Sequence, residues 1–342
     1  MLHGHGDDGY RHSQEIVADF STNVWYGGEP AGLREYVCSQ WPTVNRYPEV
    51  LAESLAAQVA AHHGVEPAQV LISSGTTESI YLGAQAWAGQ RSTVLTPAFA
   101  EYEDACRLHG HQLRLLAWEE VASAPPLNSD LVFICNPNNP TGSVLAPQAL
   151  VALLANNPRA VFVLDEAFIE FTTSIQTAIP LLAQFDNLLI MRSLTKAYAI
   201  PGLRLGYVVA SAALVARLTR HKAPWAVNAL AVAAGRFIFE NYAQVQPPIA
   251  QLLAAKASLA EQLAQNPGLA ILPSHTHYFL AATRRGTAAE LKRWLLDRHG
   301  LLIRDASNFR GLTPGHFRLG TRRPADNQLL VTALTEWTAS LA

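Results

Sequence analysis

The sequence predicts an α/β protein in which a mostly parallel seven-stranded sheet lies between helices and is followed by a smaller α+β domain. Seven short apolar runs predict the sheet, because strands buried on both faces read as continuous apolar stretches. Helical stretches separate these runs, as they do in layered α/β domains. After about residue 240 the pattern changes to a long helix and short strands, which predicts the second domain.

The arm and the large domain occupy the first part of the chain. Residues 1–30 are rich in Gly, His and Asp and predict an irregular N-terminal arm, and residues 31–240 are predicted as the large domain. Leu51, Leu55 and Val59 recur at helical spacing and predict an amphipathic helix over about 49–63. The seven predicted strands lie at residues 70–72, 93–95, 113–116, 131–134, 161–164, 188–190 and 207–209.

The small C-terminal domain is predicted to span residues 241–342. The pair Pro247-Pro248 marks a hinge near its start, because proline ends helices and stiffens links. A long helix over about 247–265 comes next, and two further helical segments lie among and after the strands. The predicted strands are residues 270–272, 278–280, 301–303 and 317–319.

Composition excludes several classes of protein. A length of 342 residues allows about two domains, and the balance of 25 Lys+Arg against 27 Asp+Glu gives no basic surface for a nucleic acid. No secretory signal is visible, and no apolar stretch reaches the roughly 20 residues of a membrane helix. The 3 cysteines have neither metal spacing nor a disulfide framework. We therefore expect a cytoplasmic protein with no metal site, no nucleic acid and no membrane partner.

One lysine stands out by its surroundings. The string from Ser193 to Tyr207 follows a predicted strand and offers a hydroxyl at Ser193, an amine at Lys196 and a guanidinium at Arg204. A lysine that joins a carbonyl cofactor covalently must be held at a fixed point. The phosphate of such a cofactor must be held nearby. A surface lysine beside a loop arginine is the plain alternative, and the neighbouring motifs argue against it.

Two loops that follow predicted strands have the chemistry to bind an anion and to place an amide. Gly75 and Thr76 open a helical stretch, where small residues let an anion approach free N–H groups and the positive helix end. An ordinary helix cap would use the same residues. The string Cys135–Gly142 contains two Asn-Pro pairs, which make a rigid turn and aim the amide of Asn139 at one point.

Asp165 and Tyr102 have the properties of residues that hold a flat heteroaromatic ring. Asp165 ends a buried strand, where a carboxylate is costly unless a positive group meets it. A protonated pyridine nitrogen would be such a group, and a structural salt bridge is the alternative. Tyr102 would stack on the ring, or else pack on the sheet.

Two arginines near the C-terminus suggest a substrate with two anionic groups. Arg304 and Arg318 end two of the predicted strands, and the planar fork of arginine binds carboxylate or phosphate through paired hydrogen bonds. Each would otherwise be a solvated surface residue. The hydroxyl of Tyr47 would reach a phosphate, or the ring would simply pack.

The order of these strings resembles the aminotransferase class I/II family of enzymes that use pyridoxal phosphate (PLP), with fold type I. The resemblance spans nearly the whole chain. Within the family the chain is similar to the branch of histidinol-phosphate aminotransferases and, in detail, to decarboxylases of threonine phosphate in cobalamin synthesis. The strings that carry this similarity are Asp19–Asn23, Phe99–Tyr102, Asp165–Ile169, Ala199–Arg204, Pro224–Leu230 and Leu302–Arg304.

The resemblance implies a role for each residue around the cofactor. Lys196 would hold PLP covalently, Asp165 would pair with the pyridine nitrogen, and Asn139 would bond the 3-oxygen of the ring. Tyr102 would stack on the ring. The cofactor phosphate would be held by Gly75, Thr76, Ser193 and Arg204 and, in a homodimer, by Tyr47 contributed across the interface.

The resemblance also implies a substrate site. Arg318 would bind the substrate carboxylate and Arg304 the substrate phosphate, with Asn23 in the same site. The arm would close over that phosphate through His5, with His3 as the alternative, although this chain departs from the usual His-Gly-Gly.

The expected reaction is the decarboxylation of L-threonine O-3-phosphate to (R)-1-amino-2-propanol O-2-phosphate. Phe168 favours it, because many aminotransferases of the family have a tyrosine there and the decarboxylases are similar to this chain. Amino transfer by a histidinol-phosphate aminotransferase, or a related PLP-dependent amino-acid aminotransferase, is the alternative and would use the same residues. A non-catalytic sensor domain of a transcription regulator is a third reading. The lack of a basic helix-turn-helix stretch disfavours it.

Overall fold

A computed structural model describes residues 6–341 of the chain and confirms the predicted α/β architecture. Its strands form a seven-stranded sheet, a four-stranded sheet and a two-stranded pair. The strands are β1 (Ala18–Asp19), β2 (Val70–Ser73), β3 (Arg91–Thr96), β4 (Gln112–Ala117), β5 (Leu131–Cys135), β6 (Val161–Asp165), β7 (Leu188–Ser193), β8 (Gly206–Ala210), β9 (Leu269–Ile271), β10 (Tyr278–Thr283), β11 (Leu301–Leu302), β12 (Arg304–Asp305) and β13 (His316–Gly320).

Helices alternate with the strands of the large sheet and then cover the smaller one. They are α1 (Leu33–Ser39), α2 (Glu53–His63), α3 (Gly75–Ala86), α4 (Ala100–Leu108), α5 (Trp118–Val121), α6 (Pro147–Asn156), α7 (Leu194–Ala197), α8 (Ala212–Thr219), α9 (Ala229–Glu240), α10 (Ile249–Ala264), α11 (Ala288–His299) and α12 (Pro324–Ser340). Across residues 6–341, none of these helices is long and apolar enough to cross a membrane.

The seven-stranded sheet is parallel apart from one strand. Its order is β2-β8-β7-β6-β5-β3-β4, and β8 runs antiparallel to both of its neighbours. Phe162 and Leu164 of β6 face one apolar core, whereas Val163 faces the other. Helices therefore bury both faces of the central strands of this sheet, which is why those strands read as apolar runs in the sequence.

Two sequence-based expectations differ from the structure in detail. Strand β4 is not covered on both faces, because it lies at the sheet edge, and of its side chains only Leu116 is buried. Helix α2 begins at Glu53 rather than near residue 49. Ala52 has a φ of 57°, a left-handed conformation that a right-handed helix cannot contain.

The smaller sheet is antiparallel and has the order β12-β13-β10-β9. Its core includes Leu263 of α10, Leu295 of α11 and Trp337 of α12. The predicted strand at 301–303 corresponds to β11, which pairs in parallel with β1, whereas β12 follows it and joins the four-stranded sheet. The pairing of β1 with β11 ties the N-terminal segment to the C-terminal part of the chain.

The parallel strands place polar residues together at one edge of the large sheet. Cys135, Asp165 and Ser193 are the last residues of β5, β6 and β7, which are neighbours in the sheet. Because parallel strands end at the same edge, side chains that are far apart in sequence meet there, and open α/β sheets bind ligands at this edge.

Candidate active site

A cavity of about 640 Å³ lies at this edge of the large sheet. It is lined from one side by the ends of the parallel strands and from the other by the four-stranded sheet. Most of the predicted site residues line it: Asn23, Thr76, Tyr102, Asn139, Asp165, Ser193, Lys196, Arg204, Arg304 and Arg318. Gly75 adjoins it through Arg204, Tyr47 lies elsewhere on the surface, and His5 and His3 fall outside the described residues.

Lys196 is held at the cavity wall by the turn from β7 into α7. Its carbonyl oxygen accepts a hydrogen bond from the Trp25 N–H at 3.0 Å, which fixes the backbone at this point. Burial, reinforced by the positive charges of Arg204 and Arg318, lowers the pKa of Lys196 to about 8. A substantial fraction of the amine is therefore neutral near pH 8, as a nucleophile or a base requires.

Asp165 is a buried carboxylate whose oxygens both have donors. Its Oδ1 accepts from the Ala167 N–H at 2.8 Å, and its Oδ2 accepts from the Tyr102 hydroxyl at 2.7 Å. Burial raises the pKa of Asp165 to about 6, against the opposing effect of these two donors. Asp165 therefore carries its charge at neutral pH, where a cationic partner in the cavity would stabilise it.

The contact between Tyr102 and Asp165 was not foreseen from sequence. The ring of Tyr102 is stacked on Phe133, with centroids 5.4 Å apart and planes at 21°. Only its hydroxyl contacts the carboxylate. Tyr102 lines the cavity in this arrangement, and its stacking on a cofactor ring stays a prediction.

The start of α3 forms a cradle for an anion. Gly75 has a φ of 77°, and a Cβ at this position would collide with Arg204 Nη2, so the guanidinium lies directly over the glycine. A Cβ on Gly206 would lie 3.1 Å from the Thr76 nitrogen, so glycine there brings β8 close to the helix start. The Ser193 hydroxyl is also nearby in the cavity wall and shares a hydrogen bond with Thr195 at 2.8 Å.

Arg318 and Asn139, which were predicted separately, contact each other. Arg318 is buried and donates from Nη1 to Asn139 Oδ1 at 2.5 Å and from Nη2 to the Ser21 carbonyl at 2.6 Å. Burial, together with the charge of Arg304, lowers the pKa of Arg318 to about 9. A buried cation of this kind favours an anionic ligand in the cavity.

Arg304 lies beside Arg318, since β12 and β13 pair these two residues directly. It donates from Nη2 to Asn308 Oδ1 at 2.9 Å and from Nη1 to the Asp305 carbonyl, and its guanidinium lies 5.1 Å from the ring centre of Phe309. Asn308 and Phe309 also line the cavity. Sequence reasoning missed both, because they stand in a loop with no recognisable motif.

Asn23 has an unsatisfied buried amide. Its side chain is 4% exposed, and neither Oδ1 nor Nδ2 has a hydrogen-bond partner among the residues that the structure describes. An orphaned amide costs free energy, and such groups are rare unless a ligand or water meets them. Because Asn23 lines the same cavity as the two arginines, it is available to a polar ligand there.

Taken residue by residue, the cavity fits PLP. The cradle of Gly75, Thr76 and Arg204 suits a phosphate, and the Asp165 carboxylate suits a pyridinium nitrogen. Lys196 lines the same cavity with a largely desolvated amine. Phe168 is buried in the wall, in a T-shaped contact with Tyr278 whose ring centres lie 4.9 Å apart, and its side chain offers no hydrogen bond.

Comparison with known proteins agrees with the fold. The family of aminotransferases of class I and II matches residues 20–334. A threonine-phosphate decarboxylase of Salmonella typhimurium is 34% identical, over 94% of this chain and 91% of its own length. The structure of L-threonine-O-3-phosphate decarboxylase from Porphyromonas gingivalis matches with a TM-score of 0.92 and 38% identity, over 94% of this chain and 100% of that one.

A more distant structure shares the fold alone. It is a histidinol-phosphate aminotransferase from Sinorhizobium meliloti in complex with pyridoxal-5'-phosphate, with a TM-score of 0.86 and 22% identity, over 98% of this chain and 94% of that one. The family match spans both sheets and every predicted site residue from Asn23 to Arg318. The chain therefore belongs to the aminotransferase class I and II family.

Proposed function

We propose that the chain is a PLP-dependent carboxy-lyase that converts L-threonine O-3-phosphate to (R)-1-amino-2-propanol O-2-phosphate, a step of cobalamin biosynthesis. The observation that carries the proposal is the placement of two buried arginines, Arg304 and Arg318, in one cavity with Lys196 and Asp165. A substrate with a phosphate and a carboxylate matches the two cations. The two decarboxylases of threonine phosphate, at 34% and 38% identity, support the same substrate.

The cofactor would be held at both ends of its ring. Gly75, Thr76, Ser193 and Arg204 would bind its phosphate, and Asp165 would face its pyridine nitrogen. Asn139 would contact the ring oxygen through its amide nitrogen, since Arg318 already occupies Asn139 Oδ1. When bound, PLP supplies an electron sink for the Cα of an amino acid.

The protein residues decide which bond at Cα reacts by fixing the substrate. Arg318 would bind the carboxylate and Arg304 the phosphate, so that the substrate is held at two points and cannot rotate freely. Such positioning accounts for a large share of enzymatic rate enhancement. Lys196 would then deliver or remove a proton at Cα, because its lowered pKa of about 8 leaves the amine partly neutral.

The test is a reaction without an amino acceptor. Protein loaded with PLP is mixed with L-threonine O-3-phosphate, and carbon dioxide and the amine product are measured. We expect full turnover in the absence of 2-oxoglutarate. Turnover that requires 2-oxoglutarate, or that occurs with histidinol phosphate and not with threonine phosphate, would instead identify an aminotransferase.

The pH dependence of stability offers a separate check on Asp165 in protein without cofactor. Its folded-state pKa of about 6 lies above the unfolded value of 3.8, so the folded protein binds more protons between these two values. The contribution of Asp165 to stability therefore falls as pH rises from about 4 to 6, on the order of 2 kcal/mol. We expect Asp165→Asn to remove this fall.

Urea unfolding of wild type and Asp165→Asn at pH 4, 5, 6 and 7 measures the effect. The pKa of Lys196, about 8 against an ordinary 10.5, lies outside this range and does not interfere. Parallel pH profiles for the two proteins would contradict the burial of an ionising carboxylate at this position.

We propose further that the chain forms a homodimer through an aromatic patch consisting of Trp41, Val44, Tyr47, Val50 and Trp225. These side chains are 44–83% exposed, and the rings of Tyr47 and Trp225 lie 5.1 Å apart. Contiguous exposed apolar surface of this kind marks protein interfaces. In the dimer Tyr47 would reach the cofactor phosphate of the other subunit.

The free cysteines support a cytoplasmic location.

Sedimentation of two matched variants tests the dimer. Trp41→Glu places a charge in the aromatic patch and is expected to weaken association at least about tenfold, since charges are depleted at interface cores. Leu329→Glu changes an apolar residue that is 49% exposed on α12, away from the patch, and should sediment like wild type. Equal behaviour of the two variants would exclude this surface as the interface.

A further inference from the structure

An ion pair in the wall of the cavity joins a helix on the large sheet to a loop of the small sheet. Arg310 donates from Nη2 to Glu103 Oε1 at 2.8 Å and from Nε to Glu103 Oε2 at 3.1 Å. Glu103 belongs to α4, which packs on the seven-stranded sheet, whereas Arg310 stands in the loop between β12 and β13. The two residues are 207 positions apart in the chain, and both line the cavity.

The geometry of the pair favours a stronger interaction than most surface ion pairs have. Two parallel hydrogen bonds between a guanidinium and a carboxylate fix both distance and orientation. The Glu103 side chain is only 12% exposed, although that of Arg310 is 58% exposed. Hydrogen bonds from Arg310 hold the pKa of Glu103 below its usual range, so the carboxylate remains charged throughout the physiological pH range.

The loop that carries Arg310 also carries the residues that support Arg304. Asn308 accepts a hydrogen bond from Arg304 Nη2 at 2.9 Å, and the ring of Phe309 lies 5.1 Å from the Arg304 guanidinium. Phe309 is buried in a small apolar cluster with Leu280. One end of this loop is therefore anchored in the small sheet, and the Glu103–Arg310 pair ties its tip to the large one.

We propose that the Glu103–Arg310 pair positions Arg304 for the phosphate of the substrate. The pair holds the loop of residues 306–313 against α4, and that loop holds the Arg304 guanidinium through Asn308 and Phe309. Arg310 is thus a positioning residue that acts through the loop. The proposal rests on the proposed function, because it assumes that Arg304 binds the phosphate group.

The test compares Glu103→Gln and Arg310→Gln with the matched control Arg107→Gln. Arg107 donates from Nε to the same Glu103 oxygen at 2.8 Å and is also 58% exposed, but it lies one turn away in the same helix. Removing it takes away an equal charge and leaves the link between the sheets intact. All proteins are loaded with PLP before measurement.

The expected result is a selective loss of affinity for the phosphorylated substrate. Either glutamine variant should raise KM for L-threonine O-3-phosphate about fivefold with kcat within about twofold, as a partly exposed ion pair with two hydrogen bonds allows. The double variant should match the single ones, because the two residues act as one unit. Binding of unphosphorylated L-threonine, followed by the absorbance of the bound coenzyme, should be unchanged, and Arg107→Gln should resemble wild type.

Three results would overturn the proposal. One is an equal weakening of L-threonine binding, which would indicate general damage to the site. The second is a loss in Arg310→Gln and none in Glu103→Gln, which would mean that Arg310 contacts the phosphate itself. The third is no difference between either variant and Arg107→Gln. Failure of the unmutated protein to act on threonine phosphate would instead count against the proposed function. That outcome is distinct from the three above, which concern the ion pair alone.

Discussion

Replacement of Lys196 with alanine is expected to abolish both covalent attachment of PLP and turnover. No other lysine lines the cavity in the part of the chain that the structure describes, so no second amine can take its place. The loss removes the covalent anchor and the group proposed to move a proton at Cα. Turnover should fall about 10³-fold or more, given the usual size of these effects.

Absorbance and mass spectrometry measure this result directly. Wild type incubated with PLP should show the visible band of coenzyme joined to a lysine, and borohydride should fix the coenzyme to the peptide containing Lys196. Lys256→Ala is a matched control, because the pKa of Lys256 is likewise lowered by burial while its Nζ donates to the Ser274 carbonyl outside the cavity. A retained band in Lys196→Ala would remove the basis of the proposed function.

Replacement of Arg318 with alanine is expected to have the second largest effect. Arg318 is only 6% exposed, so it would meet the substrate carboxylate as a largely desolvated cation. Truncating one partner of a buried charge pair weakens binding by more than about 2 kcal/mol, which is about thirtyfold. Arg318→Lys retains the charge and loses the planar fork, so we expect an intermediate loss.

Stability must be measured alongside binding in these variants. Arg318 donates to the partly buried Asn139 Oδ1 and to the buried Ser21 carbonyl, and its removal leaves both acceptors without this donor. The buried carbonyl by itself costs about 1–3 kcal/mol of folding free energy when it is left unsatisfied. Affinity for threonine phosphate is therefore compared at a temperature where thermal unfolding shows that both proteins are folded. A change in binding free energy below about 0.5 kcal/mol would contradict the assignment of Arg318 to the substrate carboxylate.

Most of the large sheet could be predicted because its strands are buried on both faces. Burial of that kind produces apolar runs such as 161–164, which can be recognised in the sequence without knowing which strands lie beside them. The direction of β8 was not predictable, since an antiparallel strand in a covered sheet has the same apolar composition as a parallel one. The start of α2 was missed because nothing in the sequence marks the left-handed conformation of Ala52.

The candidate site could likewise be predicted only in part. Lys196, Asp165 and Asn139 stand in strings directly after strands, so their meeting at one sheet edge follows from a parallel arrangement. The hydrogen bond from Tyr102 to Asp165 spans 63 positions and depends on how α4 rests on the sheet. No local sequence pattern indicates that contact.

Sequence by itself determined the α/β class, the strands of the covered sheet and the residues whose chemistry suits PLP and two anions, because burial and turn chemistry are local properties. Only the tertiary structure decided that Arg318 meets Asn139, that Asn23 keeps an unsatisfied amide in the cavity, and that Glu103 joins Arg310 in the cavity wall. The physical reason is distance along the chain. Contacts such as the one over 207 positions arise from the packing of one sheet against another, and each partner looks like an ordinary surface residue until that packing is known.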